Sequence, residues 1–258
     1  MIMKKIPVLI SFVTVLILIA LVGGCTFNGN DGATVVSVSS KGFDGAPSIK
    51  KSLNGFSAIV NNTPLTVEYC RSDENGVVIL GDTSIMDSLK VEIRNGKLVL
   101  GLKPGVYRDI WLKVLVNAPH ISTIHQNGSG KIVSDSIVDQ GARFDVVASG
   151  SGDIIIKGVN CKDVKMVVNG SGDIKAGKVM AKTAKLYING SGSVMLPDLL
   201  VEENLDADIN GSGDIAIDGA ALKVKARVNG SGSISGKLKH QDLESWRTGS
   251  GNIDLKKE

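Results

Sequence analysis

The chain has 258 residues, with 29 Lys and Arg against 26 Asp and Glu, and only 4% of its residues are aromatic. So even a balance leaves no electrostatic footprint for nucleic acid, and so few rings argue against base-stacking platforms. A chain of this length buries a substantial core as one or two domains.

Lys4 and Lys5 open the chain, Ile6 to Val22 carries no charge, and Leu21-Val22-Gly23-Gly24-Cys25 closes the segment. That order predicts a signal peptide over residues 1–24. The small residues before Cys25 resemble a bacterial lipobox, which implies cleavage there and a diacylglycerol on the Cys25 thiol. An uncleaved helix is the competing reading, but seventeen apolar residues reach only ~25 Å, short of a hydrocarbon core of ~30 Å. Acyl chains contribute roughly 0.8 kcal/mol per buried methylene and hold such a terminus at the membrane. Thr26 stands where an Asp commonly retains lipoproteins at the inner membrane, which favours the outer one. The expected location is the cell envelope, periplasmic or surface-exposed. Loss of Lys4 and Lys5 leaves 27 basic against 26 acidic residues.

Residues 25–48 read as a tether: Thr26 to Gly32 is rich in Asn and Gly, which favours a flexible chain. A first strand is predicted at Val35–Val38. Residues 49–119 form a β-rich portion with apolar runs at Phe56–Val60, Leu65–Tyr69, Val77–Leu80, Leu89–Ile93, Leu98–Leu102 and Ile110–Val116. Asn95-Gly96 sits between two such runs and predicts a type I′ hairpin, whose central residues both need positive φ. Trp111–Val116 alternates poorly and predicts a strand buried on both sides. No segment keeps a helical period over three turns, although Val201–Leu205 could form one short turn. Cys70 and Cys161 lie in apolar runs. An oxidising envelope permits a disulfide between them, yet buried free thiols are the better expectation.

From residue 120 to 258 a repeat takes over. Gly-Ser-Gly begins at Gly128, Gly150, Gly170, Gly190, Gly211, Gly230 and Gly249, in steps of 22, 20, 20, 21, 19 and 19 residues. A fixed period near twenty marks a solenoid with one coil per repeat. Two places after each triplet stands a β-branched residue: Ile132, Ile154, Ile174, Val194, Ile215, Ile234 and Ile253. Just before it stands a small polar one: Asn127, Ser149, Asn169, Asn189, Asn210, Asn229 and Thr248. The unit is therefore strand, glycine corner, strand. The glycines offer unusual backbone angles and carry no Cβ to block stacked corners. The predicted fold is all-β, a single-stranded parallel β-helix with the N-terminal portion continuous with it. Parallel crossovers favour right-handed winding. The polar tail Leu255-Lys256-Lys257-Glu258 would blunt the last edge.

This pattern resembles the autotransporter-adhesin head domain family of envelope lipoproteins. The resemblance spans roughly residues 49–245. It rests on Leu53-Asn54-Gly55-Phe56-Ser57-Ala58-Ile59, the Arg94-Asn95-Gly96-Lys97-Leu98-Val99-Leu100 hairpin, Val116-Asn117-Ala118-Pro119, and the repeated Asn-Gly-Ser-Gly-Asp-Ile. It implies an all-β, β-helix-like fold outside the cytoplasm and brings no catalytic residues.

The residues directly after the triplets are Lys131, Asp153, Asp173, Ser193, Asp214, Ser233 and Asn252. Stacked, they form one column, with Asp153 and Asp173 on adjacent coils. Paired carboxylates or calcium would suit that spacing, but Ser193 and Ser233 interrupt it and Lys131 adjoins it. A solvent-facing polar ladder is the better reading, so no metal or cofactor is expected. Serines repeat as Ser129, Ser151, Ser171, Ser191, Ser212, Ser231 and Ser250. A nucleophile needs one partner base rather than identical neighbours, so corner stabilisation is expected. The Asn column predicts a ladder of side-chain hydrogen bonds.

These features predict a lipid-anchored envelope solenoid that binds a glycan or protein partner, or serves structurally, without catalysis. Asp153, Asp173, Asp214, Ser151, Ser171, Ser191 and Ser212 are the candidate binding ladder. The alternative is a polysaccharide lyase or hydrolase using Asp153, Asp173 and Asp214. Sheet faces also offer self-association into a homo-oligomer.

Overall fold

The structure, a computed structural model, describes residues 27–28, 33–35 and 37–257. The predicted signal peptide and Cys25 lie outside the described residues. The elements before the repeats are β1 (Phe27–Asn28), β2 (Ala33–Val35), β3 (Ser48–Lys51), β4 (Ala58–Asn61), β5 (Thr66–Arg71), β6 (Gly76–Gly81), the one-turn helix α1 (Thr83–Met86), β7 (Leu89–Arg94), β8 (Lys97–Leu102), β9 (Gly105–Tyr107) and β10 (Leu112–Ala118). The repeats supply β11 (Thr123–Gln126), β12 (Lys131–Ser134), β13 (Ile137–Ala148), β14 (Asp153–Val168), β15 (Ile174–Ile188), β16 (Ser193–Gly211), β17 (Asp214–Gly230), β18 (Ser233–Lys239), β19 (Asp242–Thr248) and β20 (Asn252–Lys256). Apart from β1, β2 and β9, which pair with one another, all strands join in one continuous sheet.

That sheet winds into a solenoid, as the period predicts. Each of β14–β17 bends twice, so its start, middle and end pair in parallel with the equivalent parts of its neighbours. Three faces result: one before the corners, one after them, and a third between. Inward columns form the core. Ile132, Ile154, Ile174, Val194, Ile215 and Ile234 are each 0% exposed, and a buried Ile or Val contributes roughly 1.5–3 kcal/mol. The inward column just ahead of the Asn column runs Val168, Ile188, Ile209 and Val228, all buried. At its two ends this column turns polar, with Gln126 at the start and Arg247 at the finish.

The corners are glycine chiefly because they touch. A Cβ on Gly172 or Gly192 would overlap the carbonyl oxygen of Gly152 or Gly172 on the coil before. Positive φ, offered by the sequence as a general reason, applies within the triplets only at Gly211, Gly230 and Gly249. The Asn95-Gly96 hairpin has φ of 50° and 71°, as a type I′ turn demands.

The N-terminal portion starts the solenoid out of sequence order. β4 and β5 form a coil of their own, with β11 and β12 stacked on one side and β8 and β10 on the other, all in parallel. Its corner, Asn61-Asn62-Thr63-Pro64-Leu65, occupies the place of a Gly-Ser-Gly, and Gly128 and Gly130 pack on the carbonyls of Thr63 and Leu65. Asn61 holds this corner from within: Thr63 donates to its Oδ1 from N (3.1 Å) and Oγ1 (2.6 Å), while its Nδ2 donates to Leu65 O (3.2 Å) and Gln126 Oε1 (2.9 Å). Beyond β8 and β10 the antiparallel strands β7, β6 and β3 close the end.

Three local expectations are corrected. Val201–Leu205 lies inside β16 as an irregular stretch of strand, and the short helix forms at Thr83–Met86, where Asp82 caps Ser84 N at 2.9 Å. β10 buries alternate residues rather than both sides, because its outward face carries Lys113, paired with Glu68 at 2.6 Å. Cys70 is exposed on the outer side of β5, next to the inward Tyr69, while Cys161 is buried; both are free thiols.

Candidate functional site

The column directly after the triplets is knitted between coils. Asp153 Oδ1 accepts the backbone N–H of Asp173 at 3.3 Å, Asp173 Oδ1 accepts that of Ser193 at 3.0 Å and its hydroxyl at 2.7 Å, and Asp214 Oδ1 accepts the N–H of Ser233 at 3.0 Å. Each aspartate therefore satisfies a backbone donor of the following coil. Lys175 Nζ lies 3.5 Å from Asp173 and Lys131 Nζ 4.0 Å from Asp153, which offsets the like charges. Among the described residues no group of three or more His, Cys, Asp or Glu gathers as a metal cage.

Ser151, Ser171, Ser191 and Ser212 stand exposed at successive corner tips. The backbone N–H groups of Ser171, Ser191 and Ser212 donate to Gly150, Gly170 and Gly190 O at 3.2, 3.0 and 3.0 Å. Beside them runs the Asn ladder: Asn189 Nδ2 donates to Asn169 at 2.9 Å, Asn210 to Asn189 at 3.3 Å, and Asn229 to Asn210 at 3.5 Å.

Two hollows of the solenoid lie elsewhere, on the outward side of the face before the corners. One, of about 500 Å³, is lined by Tyr187, Asp208, Asn210, Arg227, Asn229 and Trp246, among others. A second, of about 470 Å³, is lined by Arg143, Asp163, Lys165, Thr183, Lys185 and Tyr187. Tyr187 borders both. Each is an open depression of the surface rather than an enclosed cleft. None of Asp153, Asp173, Asp214 or the corner serines lines either hollow.

One column runs through the first hollow. Tyr187, Asp208, Arg227 and Trp246 are successive register partners in β15, β16, β17 and β19, and each stands three residues before its triplet. Neighbours in such a column are ~4.8 Å apart. Arg227 Nη1 contacts both carboxylate oxygens of Asp208, at 3.1 and 3.2 Å. The Arg227 guanidinium also sits 5.2 Å from the centre of the Trp246 ring, and Lys165 Nζ 5.6 Å from that of Tyr187. Each ring is thus held by a cation of the preceding coil. Trp246 is 49% exposed, on a strand whose one register partner among the described strands is β17. His125 opens the same column; burial, with Lys97 adding to it, pushes its imidazole below the usual value against an opposing effect of Asp145.

Recurrence does not single out this set, because its column changes chemistry from coil to coil. A signal is nevertheless present in its rings. Of the three aromatics in residues 120–257, Phe144 is buried and the other two, Tyr187 and Trp246, share that column.

Among curated protein sequences nothing matches the chain. Solved structures do. A putative adhesin from Bacteroides fragilis superposes with a TM-score of 0.75 at 22% identity, covering 84% of this chain and 98% of that one. A putative adhesin from Parabacteroides distasonis gives 0.66 at 20% identity, covering 81% and 96%. A protein of the same species described as a putative lipid binding protein gives 0.65 at 19%, with the same coverage. At these identities the likeness is one of fold. The sequence profile described as "putative auto-transporter adhesin, head GIN domain" matches residues 55–239 and again 176–257. The chain belongs to that family of adhesin-like proteins.

Proposed function

We propose that the chain is a non-catalytic binding protein of the bacterial envelope, anchored by lipid on Cys25, whose ligand-facing surface is the outward side of the face before the corners. The observation that carries this reading is the pair of hollows on that face, which have Tyr187 in common. The absence of catalysis is supported by the occupation of Asp153, Asp173 and Asp214, whose carboxylates are engaged with the next coil. Membership of an adhesin-like family supports the envelope setting.

The test uses cells expressing the full chain. Replacing Tyr187, Asp208, Arg227 and Trp246 with alanine should abolish retention of the cells, or of envelope vesicles made from them, on surfaces coated with polysaccharide, mucin or matrix protein. The amount of folded protein should stay constant. Labelled palmitate should enter the wild type and not Cys25→Ser. Retention that survives the quadruple variant overturns the proposed surface, and labelling of Cys25→Ser overturns the anchor.

A further inference from the structure

We infer that the hollow lined by both Tyr187 and Trp246 takes a neutral oligosaccharide lying extended along the solenoid axis, with the two rings as stacking platforms at its ends. This rests on the proposed binding face and names its occupant. Three observations lead to it.

The first is the distribution of rings. The solenoid repeats turn only Tyr187 and Trp246 of their aromatics outward, and both line one hollow. Three coil steps separate them, about 14 Å, with Asp208 and Arg227 on the two coils between, so a short run of sugar units would lie over that pair. The rise of a coil is of the same order as the rise per sugar in an extended β-linked glycan, so successive sugars would meet successive coils. Fixed rings supply large contact area at little entropic loss, and their faces suit the C–H faces of pyranose rings.

Charge is the second. The hollow between the rings has one anion and one cation, Asp208 and Arg227, and these are paired with each other. The pair cancels, so the hollow offers no uncompensated charge to an acidic or basic ligand. Its carboxylate and guanidinium still present hydrogen-bonding edges to hydroxyl groups.

The third is the neighbouring Asn210 and Asn229, which line the same hollow beside the charged pair. Amides both donate and accept, as sugar hydroxyls do. Their ladder bonds of 3.3 and 3.5 Å lie toward or beyond the long end of the usual range, so the amides have capacity to exchange partners.

The experiment is a glycan array probed with the full chain in detergent micelles, followed by fluorescence titration in a Trp111→Phe background, where Trp246 is the remaining tryptophan. Neutral β-linked oligosaccharides of three or more units should bind, shift the Trp246 emission, and lose about tenfold in affinity with Tyr187→Ala or Trp246→Ala. Trp246→Phe should retain more affinity than Trp246→Ala, and Asp173→Ala should bind as wild type. If Trp246→Ala fails to fold, the emission shift of the background protein and the Tyr187→Ala titration decide. Binding only to uronic or sulfated glycans, or neutral binding indifferent to both ring substitutions, overturns the inference. If no glycan binds while the quadruple variant still abolishes retention on matrix protein, the oligosaccharide is wrong and the binding face stands. If that variant changes nothing, both fall.

Discussion

Asn127 Nδ2 donates to Asn62 Oδ1 at 2.8 Å, across a gap of sixty-five residues. The contact repeats a rung of the Asn ladder, beyond the break at Ser149, in a coil that has no glycine triplet. It places the corner at Asn61–Leu65 in the same stack as the repeats, so the integrity of that corner should govern the whole N-terminal end.

Asn61 is the residue to change first. It is fully buried and takes part in four hydrogen bonds. Asn61→Ala should lower stability by about 2–4 kcal/mol, since several buried partners lose their bonds together. Gln126→Leu should cost less, because it ends only the bond from Asn61 Nδ2 and removes Nε2, which is buried without a partner. Urea unfolding of the two variants checks the contrast.

Gly192→Ala should be among the most damaging changes in the chain, at roughly 3 kcal/mol or more, because the new Cβ meets backbone rather than a movable side chain. Gly55→Ala should cost only about 1 kcal/mol: its φ is 82° but nothing stands within 4 Å. Thermal melts separate crowding from backbone strain.

Asp173→Ala should lower stability by about 1–2 kcal/mol through the unpaired Ser193 N–H. Adding calcium should shift the melting temperature of wild type and variant alike by nothing measurable. A calcium-dependent rise lost in the variant would reinstate the column as an ion site.

His125 sets a pH response. Its folded pKa is lowered from 6.5, first by burial and then by Lys97. The unfolded chain therefore holds more protons below about pH 6.5, and the stability held at neutral pH is lost as pH falls from there toward the folded pKa. His125→Gln should remove this component of the pH dependence, measurable by denaturant unfolding between pH 7.5 and 5.

Arg247 occupies the inward column at the last coil, beside Val228, and its Nη1 donates to Gly251 O at 3.2 Å. An inward charge on an edge strand opposes edge-to-edge pairing. Arg247→Val should raise end-to-end association, seen as a concentration-dependent increase in mass by light scattering.

What the sequence disclosed followed from identity between repeats. The column from Ile132 to Ile234 and the Asn ladder were legible because like residues recur at a fixed step. The β4–β5 coil was not, since its corner reads Asn-Asn-Thr-Pro-Leu and its spatial neighbours are remote in the chain. Cys70 was misplaced because an apolar run does not tell which side of a strand faces out, and Tyr69 took the inner position. The Tyr187 column was not legible because Tyr187, Asp208, Arg227 and Trp246 share a place but no chemistry.

The out-of-order coil divides the molecule into two regimes of heredity. Downstream of it, each twenty-residue unit stacks only on its immediate neighbours, so duplication or loss of a whole unit within the inner coils lengthens or shortens the rod and leaves the rest intact. Upstream, residues 58–71 are sandwiched between segments that the chain makes later, and no copy can be added or removed without breaking both contacts. Related chains should therefore vary in length on one side of this seam and hold it constant on the other.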